Sequence, residues 1–413
     1  VAASRLASAL NASGVKAKLL VRDKQTERLW VIDLPKSWKN RFRFVWERFL
    51  IWIENKFSRN NLFAMSIANT GEDITRLRDF EKADVIHLHW VNQGMLSLNG
   101  IRKIVDSGKP VVWTMHDMWN MTGICHYAGD CDHFRTSECH DCPLLPGLKV
   151  LSPFSVKVFK QKKELYDHSR ITFVACSEWL KNIGKSSELL RQMPLVNIPN
   201  AIDVHLFSPS DMTNARLKYH LPLDKKLLLF GSMKVTDARK GVNYLIEACR
   251  IFSERYPAQK DKLAILMLGG RADSVVGELP FPVFSVGFLS LEKEIAEVYN
   301  AADLYVTPSL EDNLPNTIME AMSCGTACVG FDVGGIPEMI DHRQNGYVAR
   351  YKSADDLAEG IYWSLFEAEP TDLSFNARRK VLQNYSEEVV ANRYIELYKS
   401  KLRPAIQNSS KFY

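Results

Sequence analysis

The chain has 413 residues, a length that suggests two or three domains, and its 46% hydrophobic and 24% charged residues exclude a wholly disordered, collagen-like or disulfide-scaffold protein. The formal net charge of +5 is local: Lys36, Lys39, Arg41, Arg43, Arg48, Lys56 and Arg59 are opposed only by Glu47 and Glu54, so one segment carries the whole excess. The rest of the chain is neutral, which argues against a nucleic-acid partner.

In chain order, Val1–Leu10 is small, polar and helical in character, without the pattern of a signal peptide. The chain opens on Val rather than Met and is expected to continue ahead of it. Apolar runs such as Phe49–Ile53 and Leu263–Leu268 fall well short of the roughly 20 residues of a spanning helix, so none is predicted. Strands are predicted at Lys18–Val21, Val85–His89, Val111–Met115, Ile171–Ala175, Leu227–Phe230, Ile265–Leu268, Val283–Val286, Leu304–Thr307 and Cys328–Phe331. Amphipathic helical stretches alternate with them, at Leu98–Ser107, Val242–Glu254, Lys293–Asn300, Asn316–Ser323 and Ala354–Leu365. Fully apolar strands alternating with helices specify an α/β chain of doubly wound parallel sheets. A boundary is expected near Pro199–Pro209, and Ser386–Leu402 reads as a final amphipathic helix.

In open parallel sheets ligands gather at the carboxyl ends of the strands. Val111–Met115 ends in His116-Asp117, Leu227–Phe230 leads to Arg239-Lys240-Gly241, Val283–Val286 ends in Gly287, and Leu304–Thr307 in Pro308-Ser309-Leu310-Glu311-Asp312. Pro315 is placed to start a helix and Asn313 to cap it, leaving the N–H groups of Asn316 and Thr317 for phosphate oxygens. Glu320, two turns on, can accept hydrogen bonds from ribose hydroxyls. It runs into Ala321, Met322, Cys324 and an apolar strand, a poor setting for an idle carboxylate.

Pro308-Ser309, the acidic Asp312, seven intervening residues and Glu320-Ala321-Met322-Ser323-Cys324-Gly325 resemble the donor-binding motif of glycosyltransferase family 4. Echoes of the same family are Asn200–Asp203 with Phe207 and Pro209, Lys240-Gly241, Val333–Glu338 and Asn345–Val348. The resemblance implies the GT-B architecture, two Rossmann-like domains facing a central cleft. Residues 1–199 are then the acceptor-side domain, 200–385 the nucleotide-sugar domain, and 386–413 a helix and tail crossing back to the first. It implies a retaining transferase that moves a sugar from a nucleotide-diphosphate sugar to a glycan or lipid-linked acceptor, in bacterial surface-polysaccharide biosynthesis at the cytoplasmic membrane face. Glu320 is assigned the ribose and Asp312 the transferred sugar. Lys240 is assigned the departing diphosphate together with the helix start at Asn316 and Thr317. Gly287 and Phe288 would frame the base, and His116 would face the reacting sugar; a polar cap on a strand end is its plainer reading. With Lys240 and a helix start at the diphosphate, no metal cofactor is required.

The chain departs from the family pattern at three places. Asp312 stands where glutamate is usual. Ser232 stands where an arginine is frequent, with Arg239 as a candidate substitute. The opening strand and glycine-rich loop are expected ahead of Val1. These departures support a second reading, a non-catalytic GT-B partner subunit that binds nucleotide or glycan. A GT-B enzyme that epimerises or phosphorolyses sugars fits the motif less well.

Two further features stand apart. Cys125, Cys131, Cys139 and Cys142 cluster with three histidines, and Cys139-His140-Asp141-Cys142 has a CxxC spacing; a structural zinc, redox pairs and a loop of reduced thiols are all open readings. The basic segment 36–59 also carries Trp38, Phe42, Phe44, Trp46, Phe49, Trp52 and Phe57. Peripheral contact with an anionic membrane and a core helix packing its aromatics inward both fit that pattern.

Overall fold

The structure is a computed structural model that describes residues 1–34, 38–136, 138–145, 154–234, 237–270 and 273–402. The chain divides into two compact units, one formed by 1–198 together with the chain from Ala391, the other by Pro199–Val390.

In the first unit β1 (Leu19–Val21) and β2 (Val31–Asp33) form a parallel pair, and a four-stranded parallel sheet follows. Its strands β3 (Ile86–Leu88), β4 (Val111–Met115), β5 (Thr172–Ala175) and β6 (Leu195–Asn197) lie in chain order. Every residue of β4 and β5 is buried, as expected of strands covered on both faces. The crossover helices begin on side-chain caps: Ser97 accepts from Gly100 N–H at 3.0 Å before Leu98–Asp106, and Ser177 from Leu180 N–H at 3.0 Å before Glu178–Ser186. The final helix, Glu387–Leu402, sets Tyr394 and Tyr398 against this sheet, their hydroxyls 2.8 Å from Thr114 Oγ1 and 2.6 Å from His87 Nδ1.

The second unit is a six-stranded parallel sheet of β7 (Lys226–Lys234), β8 (Leu263–Gly270), β9 (Val283–Gly287), β10 (Leu304–Thr307), β11 (Ala327–Phe331) and β12 (Gly346–Ala349). Its order is β12-β11-β10-β7-β8-β9. The chain runs outward from β7 to β9, then returns to the other side of β7 and runs outward again. The order reverses between β7 and β10, which pair through Leu304–Leu228 and Tyr305–Leu229. A crevice opens at the carboxyl ends of two strands that diverge in this way. Strands β2, β6 and β12 are absent from the sequence reading. Two of them are only three residues long, β6 begins directly after Pro194, and β12 opens on a glycine.

The helix Trp38–Glu54 does not bury its aromatic stripe: Trp38, Phe42, Trp46 and Phe49 are exposed. The core-helix reading of that stripe is therefore set aside. Lys36, the first residue of the basic segment, lies outside the described residues.

Candidate active site

At the switch point two loops from neighbouring strands interlock. The loop after β7 turns through Ala238–Lys240 into Gly241, at φ +70°, and the helix Val242–Arg255 follows. A Cβ on Gly241 would lie 1.9 Å from the Pro308 carbonyl oxygen, so only glycine admits the loop after β10 this closely. The two loops are tied by Leu310 N–H donating to Arg239 O at 2.8 Å and by Arg239 Nη1 donating to Glu311 O at 2.8 Å.

This interlock brings Lys240 Nζ within 2.6 Å of Asp312 Oδ2, with Arg239 Nη1 3.8 Å from the same oxygen. Asp312 is buried and Lys240 keeps a partly open side chain. Behind them Gly334, at φ +63°, passes the Asp312 carbonyl so closely that a Cβ would sit 1.8 Å from its oxygen, and Gly335 N–H donates to that oxygen at 3.2 Å. Two backbone crossings thus hold the acidic loop.

Beyond Asp312 the helix Asn316–Ser323 starts without a side-chain cap; Pro315 occupies the capping position, and the expected cap, Asn313, is buried ahead of it. An uncapped helix start presents backbone N–H groups to an anion. Asn200 Nδ2 donates to Asn316 Oδ1 at 3.2 Å. At the other end Arg378 donates to the carbonyls of Ser323, Phe207 and Val204, each at 2.7 Å, which places a cation at the helix C-terminus and fixes its direction. Thr317 sits half-buried on the first turn.

Glu320 is buried on the same helix, and the Tyr299 hydroxyl donates to its Oε2 at 3.1 Å. Burial, and then the Glu320 carboxylate, push the Tyr299 phenol well above its ordinary range, so it stays a donor. Sequence reasoning passes over Tyr299, whose place in a helix reads as core packing. Gly287 ends β9 at φ +69° and is followed by the exposed Phe288. Arg239, Lys240, Asp312, Asn316, Thr317, Glu320 and Gly287 therefore all lie in the second unit, on the carboxyl side of its strands.

His116 belongs to the first unit, at the carboxyl end of β4. Its Nε2 is 3.0 Å from His89 Nδ1, its Nδ1 is 3.8 Å from Cys176 Sγ, and its ring stacks on that of His89 with centroids 5.3 Å apart. His89 stacks in turn on His87, at 4.2 Å. Burial lowers the pKa of His116 to about 4 and of His87 to about 3, and holds His89 well below its ordinary value; neighbouring histidines deepen the shifts of His87 and His89. The column is neutral at pH 7. The next residue, Asp117, accepts from Trp90 Nε1 at 3.1 Å and lies 2.7 Å from His126 Nδ1. His87 and His89 are missed in the sequence, although two histidines two apart at a strand end share one face.

The structure does not support the zinc reading of the cysteine cluster. Cys125, Cys131, Cys139 and Cys142 line one small pocket, yet among the described residues no three His, Cys, Asp or Glu side chains are arranged to hold a metal ion. Cys139 Sγ instead accepts from Gly123 N–H at 3.3 Å. Burial pushes the thiols of Cys125 to about 12 and Cys139 to about 11 and raises that of Cys142. All four are free thiols.

Two parallel α/β units with a charged switch-point site in the second are the architecture of GT-B glycosyltransferases. The chain superposes on a glycosyltransferase from Rickettsia africae ESF-5 with a TM-score of 0.68 and 16% identity, over 98% of this chain and 95% of that one. It also matches Anabaena HepE in complex with UDP-glucose, with a TM-score of 0.55 and 18% identity, over 77% and 79% of the two chains. These likenesses establish the fold. Residues 224–365 match the family Glycosyl transferases group 1. Among the chain's relatives is the N,N'-diacetylbacillosaminyl-diphospho-undecaprenol alpha-1,3-N-acetylgalactosaminyltransferase of Campylobacter jejuni, 28% identical over 54% of this chain and 57% of that protein. The N-acetyl-alpha-D-glucosaminyl L-malate synthase of Bacillus anthracis is 25% identical over 54% of this chain and 58% of that enzyme. The aligned part thus spans a little over half the length of these relatives.

Proposed function

We propose that this protein is a retaining glycosyltransferase that moves a sugar from a nucleotide-diphosphate sugar to a glycan or lipid-linked acceptor, in bacterial surface-polysaccharide biosynthesis. The observation that carries the reading is the Lys240–Asp312 pair at the β7–β10 switch point, beside an uncapped helix start. A diphosphate is the ligand whose charge suits a lysine, an arginine and free backbone N–H groups together. Neutralising the charge that builds on the departing diphosphate commonly lowers the barrier to such a transfer more than any other contact does.

In the proposed reaction the donor diphosphate draws Lys240 from Asp312, which turns to the hydroxyls of the sugar. Glu320, oriented by Tyr299, accepts from the ribose hydroxyls. The bond from the anomeric carbon to the diphosphate oxygen breaks, and its electron pair leaves with the diphosphate. The acceptor hydroxyl oxygen bonds the anomeric carbon from the same face, and its proton passes to the leaving diphosphate. The polyprenyl-diphosphate acceptor in the name of the Campylobacter jejuni relative supports a lipid-linked acceptor, and with it a place at the cytoplasmic face of the membrane.

The test is transfer from UDP-, GDP- and ADP-sugars to lipid-linked and soluble acceptors, with the anomeric configuration of the product read by NMR. The reading expects a product of the donor's configuration. An inverted product overturns the retaining mechanism, and no transfer from any donor by protein that binds nucleotide favours the partner-subunit reading.

A further inference from the structure

The helix Trp38–Glu54 is built with its charges inward. Glu47 is 0% exposed, and its Oε1 accepts from the backbone N–H groups of Ile67 at 2.9 Å and Ala68 at 3.0 Å. Arg48, also buried, lies 3.1 Å from Glu47 Oε2 and donates to the carbonyls of Leu62 and Met65. Ile51, Glu54 and Asn55 complete the buried face. A carboxylate and a guanidinium that form an ion pair and each bond the polar backbone of one loop pin the helix in a single rotational setting.

That setting turns the aromatic stripe outward. Trp38 is 74% exposed, Phe42 54%, Trp46 40% and Phe49 42%, at spacings of three and four residues. Their rings touch in sequence, with centroids 6.2, 5.9 and 5.9 Å apart. Trp52 continues the row, 6.0 Å from Phe49 and 4.8 Å from Phe57. Phe57 is itself 62% exposed, at the end of a turn in which Lys56 and Phe57 both take positive φ, 51° and 62°. The helix is about 25 Å long, so the row is an apolar edge of that length rather than an isolated exposed ring.

Charge decides what covers it. Arg41, Lys56 and Arg59 are exposed beside the row, while both acidic residues of 38–59, Glu47 and Glu54, are buried on the opposite face. Among the described residues of 38–59 the exposed charges are therefore all cationic. A second copy across a twofold axis would set those cations against their own kind. An anionic lipid surface answers both properties, taking tryptophan and phenylalanine at headgroup depth and pairing arginine and lysine with phosphates. The geometry points to the outer face of Trp38–Glu54, with Phe57, as a docking surface for an anionic phospholipid membrane. This deepens the acceptor side of the proposed function and rests on that reading for the lipid-linked acceptor it would bring within reach.

The test is flotation of the full chain with vesicles of phosphatidylcholine alone and of phosphatidylcholine containing about one-third phosphatidylglycerol, at low and high salt. Binding is expected only to the anionic vesicles and is expected to weaken with salt. Neutralising Arg41, Lys56 and Arg59 to Gln should weaken it roughly fivefold per residue, and the triple change Phe42→Ser, Trp46→Ser, Phe49→Ser should abolish it. Because those side chains are exposed, both variants should melt within a few degrees of the parent. In the unaltered protein, brominated lipid should quench part of the tryptophan fluorescence, a readout that needs no variant. Folded protein that ignores anionic vesicles, or that binds them undiminished after either triple change, overturns the proposal. So does a dimer that the aromatic change converts to monomer in the absence of lipid, which would make the edge a protein interface. Nucleotide thermal shifts on the same samples separate the two readings. Lost vesicle binding with nucleotide binding intact refutes the surface alone, and the converse refutes the transfer reading alone.

Discussion

Lys240 Nζ and Asp312 Oδ2 lie 2.6 Å apart although 72 residues separate them in the chain. The contact is a product of strand order: β7 and β10 are neighbours in the sheet while β8 and β9 intervene in sequence. In the proposed reaction the carboxylate keeps the lysine in place until the donor diphosphate arrives, and is released when it does.

The pair therefore predicts slower transfer on loss of either member, with tighter nucleotide binding on loss of the carboxylate. Lys240→Ala should lower turnover by about 10²–10³-fold, the usual effect of removing one preorganised charge from a leaving group. Asp312→Asn should also slow transfer, yet should tighten binding of the free nucleoside diphosphate by up to about fivefold, because the competing ion pair is gone. Calorimetric titration beside a turnover assay measures both, and weaker nucleotide binding by Asp312→Asn would contradict the competition.

Tyr299→Phe removes the donor to Glu320 Oε2 and leaves a buried carboxylate with one hydrogen bond fewer, a change worth about 1–2 kcal/mol in orientation or stability. Nucleotide affinity should fall by roughly tenfold, while Glu320→Gln, which keeps the shape but loses the charged acceptor, should fall further. Equal affinities for the parent and Tyr299→Phe would show that the tyrosine serves packing only.

Gly241→Ala should destabilise the second unit by about 1–3 kcal/mol, since it combines a left-handed backbone with a Cβ 1.9 Å from a carbonyl oxygen. Gly277→Ala, where nothing lies within 4 Å of the added carbon, is the control and should leave the melting temperature nearly unchanged. Denaturant midpoints of the two variants give the comparison.

The histidine column predicts an acid sensitivity with a defined window. In the unfolded chain these histidines titrate at about pH 6.5. In the native state His116 does so at about 4 and His87 at about 3. Between about pH 6.5 and about 4 the unfolded chain binds protons that the native state refuses, so stability falls as pH falls; above that window these residues contribute no slope. Urea midpoints taken from about pH 7.5 down to about 4.5 should show that decline, and His116→Gln should make it shallower. A flat profile in the parent would contradict the buried, neutral column.

How far these arrangements are legible in the sequence depends on the range of the interactions. The long apolar strands announce the α/β class because burial on both faces demands continuous hydrophobic runs, whereas β6, three residues beside Pro194, carries too little pattern to register. Strand-end reasoning gathers Arg239, Lys240 and Asp312 because it depends only on sheet type. The Tyr299–Glu320 bond escapes it, since a helical tyrosine looks the same whether its hydroxyl is paired or wet. The orientation of Trp38–Glu54 escapes for a related reason. Periodicity reveals two faces but not which one turns inward, and here Ile67 and Ala68, both donors to Glu47, decide it. The CxxC spacing leaves the role of the cluster open because spacing alone carries no information on burial, and burial raises the thiol pKa of Cys125 and Cys139.

A nucleotide-sugar site at the β7–β10 switch point is tested most sharply by a thermal-shift series of the full-length protein with UDP, GDP, ADP and CMP and their common sugars, with Glu320→Ala and Lys240→Ala as controls. A ligand at about 100 times its Kd stabilises the folded state by about 2.7 kcal/mol, a readily measured rise in melting temperature. Such a rise is predicted with one nucleotide family, lost in both variants. A folded parent that shifts with none of them, or a shift that survives both substitutions, would contradict the site.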